Sequence, residues 1–221
     1  MTDTRTDPTT RLSLLTPHRL EAGQLDPLLP ALDAACAAGD VAALILRLAP
    51  ADERTLVGLV KRVAAVTQKR GAALVVACPG LQGDIVSVAA RGGADGVHLD
   101  RPGAALLRDL RERLKDGRIL GTGGIENRHG AMEAGEAGID YLAFGGLYPD
   151  GAAPDPAGVL ERSAWWAEIF ETPCIAVAAA EAEIAALAGT GAEFLGLEAA
   201  IWTAGPEAVE RAQAALAGAA S

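Results

Sequence analysis

The chain has 221 residues, with 29 Asp and Glu against 19 Lys and Arg, and its formal net charge is −10. This length suits one domain with a large core. The acidic surface opposes binding to nucleic acid and to anionic membranes. No uninterrupted apolar run approaches the length of a membrane span, so we expect neither nucleic acid nor a membrane as a partner.

The two ends of the chain differ from its middle in composition. Residues 1–10 are polar and include Pro8, so they lack the apolar centre of a signal peptide and are expected to be disordered. No linker divides residues 11–216, which are predicted to form one domain. The Ala- and Gly-rich residues 217–221 are expected to fray.

Three cysteines, Cys36, Cys78 and Cys174, lie far apart in apolar segments. No CxxC or Cys/His spacing supports a metal site, and an odd number does not pair completely. We interpret them as buried, reduced thiols, which places the protein in the cytoplasm.

Short apolar runs alternate with longer amphipathic runs along the chain, which is typical of strands alternating with helices. The predicted strands are 12–16, 41–48, 73–78, 97–99, 119–121, 141–144, 174–178 and 194–197. The predicted helices are 28–38, 53–70, 84–91, 104–115, 128–137, 159–170, 181–188 and 207–216. Eight strand–helix pairs predict an α/β fold, a single (β/α)8 TIM barrel. An open doubly wound sheet is the alternative, but no GxGxxG follows the first strand.

Two stretches carry a family resemblance. Residues 138–149 read GIDYLAFGGLYP: a glycine ends a helix, a short apolar strand follows, and a glycine-rich turn ends it. Residues 93–100, GADGVHLD, repeat this plan. The two stretches resemble strands six and four of the thiamin phosphate synthase family, and the resemblance extends from Arg11 to about Trp202.

The resemblance implies an activity. Members of this family join a pyrimidine diphosphate to a thiazole phosphate, with Mg2+ assisting the departure of pyrophosphate. Such chemistry needs cations around the pyrophosphate and carboxylates for the metal, at the C-terminal ends of the strands. The implied partner is therefore a small molecule, and the implied cofactor is Mg2+.

The family resemblance selects two catalytic candidates. The second strand of the family ends Gln-x-Arg-x-Lys on its inner face, where this chain has Ile45, Arg47 and Ala49. Arg47 is thus predicted to bind pyrophosphate, or else to form a structural pair with a barrel acid such as Glu198. His98 matches the histidine of the fourth strand and is either a general acid or base or a satisfied interior histidine.

Metal and ligand contacts follow from the same comparison. Asp84, after the third strand, and Asp100, after the fourth, are the predicted Mg2+ ligands. The predicted ligand-binding residues, besides Arg47, lie in turns after strands five, six and eight: Thr122, Gly123, Gly124, Gly145, Gly146 and Glu198. The turn at Gly123-Gly124 is either an anion-binding nest or a tight turn into a helix capped by Asn127.

Several family positions differ in this chain. The turn after residue 149 reads Asp150-Gly151-Ala152-Ala153, without the lysine and threonine that handle phosphate in the family. Arg101 and Arg128 are candidates to replace the missing cations. The sequence therefore leaves three functions open: a Mg2+-dependent transferase making thiamin phosphate, a catalytically degenerate paralogue that binds a small molecule or isomerises a thiazole, and a non-catalytic interaction protein.

The third function depends on two adjacent aromatic residues. Trp165 and Trp166 cannot share one face of a helix, so one is expected to pack inward. The other either marks a subunit contact, as in a homodimer, or covers the barrel edge.

Overall fold

The chain forms a closed barrel of eight parallel strands in a computed structural model that describes residues 10–114, 117–148 and 150–219. The strands are β1 (Arg11–Leu15), β2 (Val41–Arg47), β3 (Ala73–Ala77), β4 (Gly96–Asp100), β5 (Ile119–Gly123), β6 (Tyr141–Gly145), β7 (Cys174–Ala178) and β8 (Phe194–Leu197). Each pairs with the next in sequence, and β8 pairs with β1. The predicted TIM barrel is confirmed, and the open-sheet alternative is wrong.

Helices surround the barrel in the expected order. They are α1 (Ala22–Ala37), α2 (Glu53–Thr67), α3 (Ile85–Gly92), α4 (Ala104–Arg113), α5 (Arg128–Glu136), α6 (Pro156–Ile169), α7 (Ile184–Ala188), α8 (Ala199–Trp202) and α9 (Pro206–Ala219). The short α8, directly after β8, was not predicted from the sequence. Of the segments expected to be disordered or frayed, residues 1–9 and 220–221 lie outside the described part of the chain, whereas residues 217–219 form the end of α9.

The first helix begins at Ala22 rather than at residue 28, because its start is capped. The backbone N–H of Glu21 donates to Gln24 Oε1 at 2.9 Å, which satisfies a donor that a helix start leaves unpaired. Pro27 and Pro30 lie inside this helix. Proline lacks a backbone donor and disfavours helix interiors, yet this helix accommodates both residues.

Side chains of the strands alternate between two apolar layers. The inner layer fills the barrel with Leu15, Ile45, Val75, Ala77, Tyr141, Ala143, Ile175 and Val177. The neighbouring residues on each strand, such as Leu14, Leu44 and Leu74, pack outward against the helices. This alternation directs Arg47, the last residue of β2, and His98, in the middle of β4, toward the barrel interior.

Within the barrel, Tyr141 fits beside Gly121. A Cβ on Gly121 would lie only 2.0 Å from Cζ of the Tyr141 ring. The glycine thus leaves room for the phenol, whose hydroxyl lies 2.8 Å from Nδ1 of His98. The space at Gly121 therefore determines where a polar contact of the upper barrel forms.

Among the described residues, no helix combines the length and the apolar character needed to cross a membrane.

Replacing Gly121 by alanine is expected to lower the free energy of unfolding by about 1–3 kcal/mol, the usual cost of overpacking, because its Cβ would overlap the Tyr141 ring. Gly58→Ala is the matched control, since no atom lies within 4 Å of its added Cβ in α2. This control is expected to raise stability by about 0.5–1 kcal/mol. Urea unfolding measures both, and equal stability of Gly121→Ala and the wild type would contradict the packing described.

Candidate functional site

A cavity of about 630 Å³ opens at the C-terminal ends of the strands. Of the residues predicted from the sequence, the cavity wall includes Arg47, His98, Asp100, Gly123, Gly124, Gly145 and Gly146. The wall also includes residues that the sequence analysis did not select as site residues, among them His18, Tyr148 and Arg162. In a barrel of this architecture the active site lies at this end, so the cavity is the candidate functional site.

Arg47 at the end of β2 forms a buried, bidentate ion pair with Glu198 at the end of β8. Its Nη1 lies 2.9 Å from Oε1 of Glu198, and its Nη2 lies 2.5 Å from Oε2. The two side chains are only 4% and 1% exposed. Nε of Arg47 also donates to the carbonyl oxygen of Thr16 at 2.6 Å. The guanidinium fork is thus occupied by protein groups, which agrees with the structural pair that the sequence left open.

Glu198 extends this pair to a neighbouring loop. Its Oε1 accepts a hydrogen bond from the backbone N–H of Leu147 at 2.8 Å, in the loop after β6. Gly146, which has a φ of +80°, lies so close that an added Cβ would be 3.2 Å from the same oxygen. Glu198 does not line the cavity described above. Glu198 therefore holds the β6 loop, and its predicted ligand-binding role stays a prediction.

Carboxylates also occupy the backbone amides after the last two strands. Glu198 precedes α8 and accepts from Ala199 N at 3.4 Å, while Glu183 accepts from Ala179 N at 2.8 Å. TIM barrels frequently bind phosphate with the loops after strands seven and eight and the start of a short extra helix. In this protein a carboxylate accepts from one amide of each of these two loops and adds negative charge at the same place.

His18, in the loop after β1, was missed by the sequence analysis. Its Nε2 lies 2.6 Å from the carbonyl oxygen of Leu147 and 2.9 Å from Nη1 of Arg47. A carbonyl only accepts and a guanidinium only donates, so one ring nitrogen cannot serve both partners at once. Burial, and then the charge of Arg47, lowers the pKa of His18. Its position at the C-terminal end of a predicted strand was the available sequence signal.

His98 lies between a phenol and a carboxylate. Its Nδ1 is 2.8 Å from the Tyr141 hydroxyl, and its Nε2 is 3.4 Å from Oδ1 of Asp100. Burial raises the pKa of Tyr141 well above its usual value. Burial opposes ionisation of Asp100, but the hydrogen bond from His98 and nearby positive charges outweigh it and lower the pKa of Asp100. An ionised Asp100 only accepts, so Nε2 of His98 donates to it, and in the neutral imidazole Nδ1 then accepts from the phenol.

The turn after β5 differs from the prediction at one residue. Thr122 lies inside β5, and its hydroxyl donates to the carbonyl oxygen of Leu99 at 2.8 Å. It does not line the cavity, and its ligand contact stays a prediction. Gly123 does face the cavity, since an added Cβ would be 3.1 Å from Nε2 of His98. Asn127 caps α5, as expected, by accepting from Gly130 N at 2.8 Å.

The two predicted metal ligands share the wall of a second cavity of about 570 Å³. Asp84 caps α3 by accepting from Val86 N at 3.0 Å, and it pairs with Nη2 of Arg113 at 2.6 Å. Asp100 is bound to His98, as described above. Within the described ranges, no group of three or more His, Cys, Asp or Glu side chains could hold a metal ion. A site built from protein ligands alone is therefore not present in this part of the chain.

Two arginines at the cavity are positioned differently from Arg47. Arg101 has a φ of +49°, and its guanidinium carbon lies 5.4 Å from the centroid of the Tyr148 ring. Nε of Arg162 is buried and has no hydrogen-bond partner among the described residues. Arg128, the other cation considered from the sequence, pairs with Glu161 at 2.7 Å and does not line the cavity.

Replacing Glu198 by glutamine is expected to destabilise the protein by about 3–5 kcal/mol, because it leaves the buried Arg47 without its counter-charge. Asp40→Asn, which breaks the exposed pair with Arg11, is the control and is expected to change stability by less than about 1 kcal/mol. Chemical denaturation of both variants provides the comparison. Equal losses in the two variants would show that the buried pair has no special structural role.

Protonation of His18 is expected to destabilise the fold. Its pKa in the folded chain lies below the usual 6.5, so between these values the unfolded chain binds more protons. Stability should fall as the pH drops below about 6.5 and should be insensitive to this residue above that pH. The stability difference between the wild type and His18→Gln, followed from about pH 5 to about pH 8, measures this contribution. If the stability difference between the two proteins does not change with pH, protonation of His18 does not destabilise the fold.

Comparisons with known proteins agree with the geometry. A family described as thiamine monophosphate synthase matches residues 12–201. A thiamine-phosphate synthase of Rhodospirillum centenum is 35% identical over 90% of this chain and 93% of its own length. One from Hyphomonas neptunium is 36% identical over 98% of both chains. The solved thiamine phosphate pyrophosphorylase of Pyrococcus furiosus has a TM-score of 0.73 and 21% identity, covering 96% of this chain and 98% of that one. The sequence matches extend across the barrel and its candidate site, and the chain belongs to the thiamine monophosphate synthase family.

Proposed function

We propose that this protein is a thiamine-phosphate synthase, which joins a pyrimidine diphosphate to a thiazole phosphate in the cavity at the C-terminal ends of the strands. The observation that carries the proposal is the family match over residues 12–201, which includes the strand ends around that cavity. In the reaction, the thiazole nitrogen forms a bond to the methylene carbon of the pyrimidine. The bond from that carbon to the diphosphate oxygen breaks, and pyrophosphate leaves with the electron pair.

The leaving pyrophosphate needs positive charge around it. Arg47 contributes little positive charge to the cavity, because Glu198 neutralises it. Arg101 and Arg162 line the same cavity, and neither has an ion-pair partner among the described residues. Their two guanidinium groups are therefore the cations available to a bound diphosphate. Asp100, Glu126 and Asp150 also line the cavity and limit how much anionic charge it tolerates.

Asp100 fits the role of a Mg2+ ligand when the substrate supplies the other oxygens. Mg2+ is usually held by one or two carboxylates together with substrate phosphates and water. Asp100 lies on the cavity wall, is 32% exposed, and has a lowered pKa that keeps it ionised. Asp84 fits less well, because binding a metal would require it to release Arg113. When bound, Mg2+ would offset negative charge on the departing pyrophosphate.

His98 supports Asp100 in this scheme. It donates to the carboxylate and is itself held by the Tyr141 hydroxyl, whose high pKa keeps it protonated. The pair of Arg47 and Glu198 holds the loop that carries Leu147 beside the cavity. These residues would orient the groups that contact the substrate rather than contact the breaking bond.

Binding of a phosphorylated ligand without turnover is the second candidate function. It is favoured by the same ion pairs, since Arg47 and Asp84 are each neutralised by a protein partner. The interaction-protein hypothesis and the homodimer stay predictions. Trp165 packs edge-on against Phe170 at 5.3 Å and beneath the guanidinium of Arg128 at 4.8 Å.

Release of pyrophosphate from the two family substrates in the presence of Mg2+ tests the proposed function. Asp100→Asn is expected to lower kcat/KM by about 100-fold or more, with a higher Mg2+ requirement, because the ionised metal ligand is lost. Asp26→Asn is the control, since Asp26 pairs with Arg62 on the protein surface and does not line the cavity.

Two results would overturn this proposal. If folded wild-type protein binds the substrates but releases no pyrophosphate, the protein is a binder and the second candidate is correct. If Asp100→Asn and Asp26→Asn keep equal activity and equal Mg2+ dependence, Asp100 is not the metal ligand.

A further inference from the structure

We propose that Arg101 and Arg162 form a phosphate-binding subsite on the rim of the cavity, in place of the backbone amides after β7 and β8. The inference deepens the proposed function and rests on it in naming a diphosphate, which carries several anionic oxygens, as the ligand class. It concerns binding alone, so it can be tested separately from turnover.

At the usual phosphate position of a TIM barrel, one backbone amide after β7 and one after β8 already have a carboxylate partner. Glu198 accepts from the N–H groups of Leu147 and Ala199, and Glu183 accepts from that of Ala179. A phosphate placed there would compete with carboxylates for the same donors and would be repelled by them. These carboxylates therefore disfavour an anionic ligand at this position and favour donors elsewhere in the cavity.

Two arginines of the cavity wall have no ion-pair partner among the described residues. The chain has more acidic than basic residues, so a basic side chain has many carboxylates from which to draw a partner. Arg101 and Arg162 nevertheless form no ion pair with any described residue, although both line the cavity. Each guanidinium offers several donors in a planar fork that matches two phosphate oxygens.

Both arginines have an energetically unfavourable feature, the backbone conformation of Arg101 and the buried Nε of Arg162. Arg101 adopts a left-handed backbone conformation, which is costly for a residue with a side chain and is common at functional sites. Gly124 provides space for it, since an added Cβ would be 3.0 Å from Cγ of Arg101. Nε of Arg162 is buried without a partner among the described residues, which leaves a donor available to a ligand.

Three acidic side chains on the same cavity wall are hydrogen-bonded to other groups of the protein. Asp100 accepts from His98, Glu126 accepts from the Tyr148 hydroxyl at 2.6 Å, and Asp150 accepts from Ala152 N at 3.0 Å. These carboxylates are thus hydrogen-bonded to other groups, whereas the two guanidinium groups are not. Tyr148 lies beneath the guanidinium of Arg101, so its ring and Glu126 fix one side of the subsite.

The experiment is a calorimetric titration of the protein with inorganic pyrophosphate, in the absence and presence of Mg2+. Arg162→Gln and Arg101→Gln are each expected to weaken pyrophosphate binding by about tenfold or more, because each removes charge-assisted hydrogen bonds. Arg54→Gln makes the same charge change on α2, away from the cavity, and is expected to leave the affinity unchanged within about twofold.

Further measurements separate a binding role from a structural one. Arg162→Lys should keep the fold and part of the affinity but lose the planar fork, so its affinity should lie between those of the wild type and Arg162→Gln. Urea unfolding of each variant checks that the fold is kept. Equal affinity of the wild type and both glutamine variants would overturn the subsite.

The outcome can be told apart from the fate of the proposed function. Arginine-dependent pyrophosphate binding without turnover would leave the subsite standing and overturn the synthase activity. If the protein turns over the substrates but its affinity for pyrophosphate does not depend on Arg101 and Arg162, the synthase activity stands and the subsite is overturned.

Discussion

The site is organised by the buried ion pair between Arg47 and Glu198. Removing one member leaves a charge in the barrel interior without compensation, which is among the more costly changes that a folded protein can undergo. Through this pair β2 contacts β8, and through Glu198 the loop after β6 is attached to both. Arg47 also binds the carbonyl of Thr16 at the end of β1. One interaction thus fixes the relative positions of four strand ends around the cavity.

The same ion pair limits anion binding at the floor of the cavity, which is the part of the cavity wall formed by Arg47. A guanidinium that is bidentate to a carboxylate has little attraction left for a phosphate, so anion binding has to come from other residues. The structure provides unpaired cations at the rim, in Arg101 and Arg162, rather than at the floor. The carboxylates after β7 and β8 reinforce this division, because they accept from backbone amides that could otherwise donate to a phosphate. We infer that the floor of the cavity, at Arg47, stabilises the fold, and that the rim, at Arg101 and Arg162, binds the ligand.

Periodicity in the sequence was sufficient to predict the barrel, because eight apolar runs separated by helices have few ways to bury their faces. Residue spacing on β2 also placed Arg47 on the inner face, and Glu198 was named as a possible structural partner for it. Thr122 was predicted to lie in the turn after β5, but β5 continues to Gly123, two residues beyond its predicted end. Inside the strand its side chain alternates to the outer face. His18 was not found although it follows the end of β1, because its approach to the cavity depends on the path of a loop. Arg162 was not found because its approach depends on the direction of α6.

A crystal structure of the protein with pyrophosphate and Mg2+ tests this division most directly. The account predicts pyrophosphate bound to the guanidinium groups of Arg101 and Arg162, with Mg2+ on Asp100 and the pair of Arg47 and Glu198 intact. Pyrophosphate bound to Arg47, with Glu198 displaced, would contradict it. So would pyrophosphate on the amides of Ala179 and Ala199.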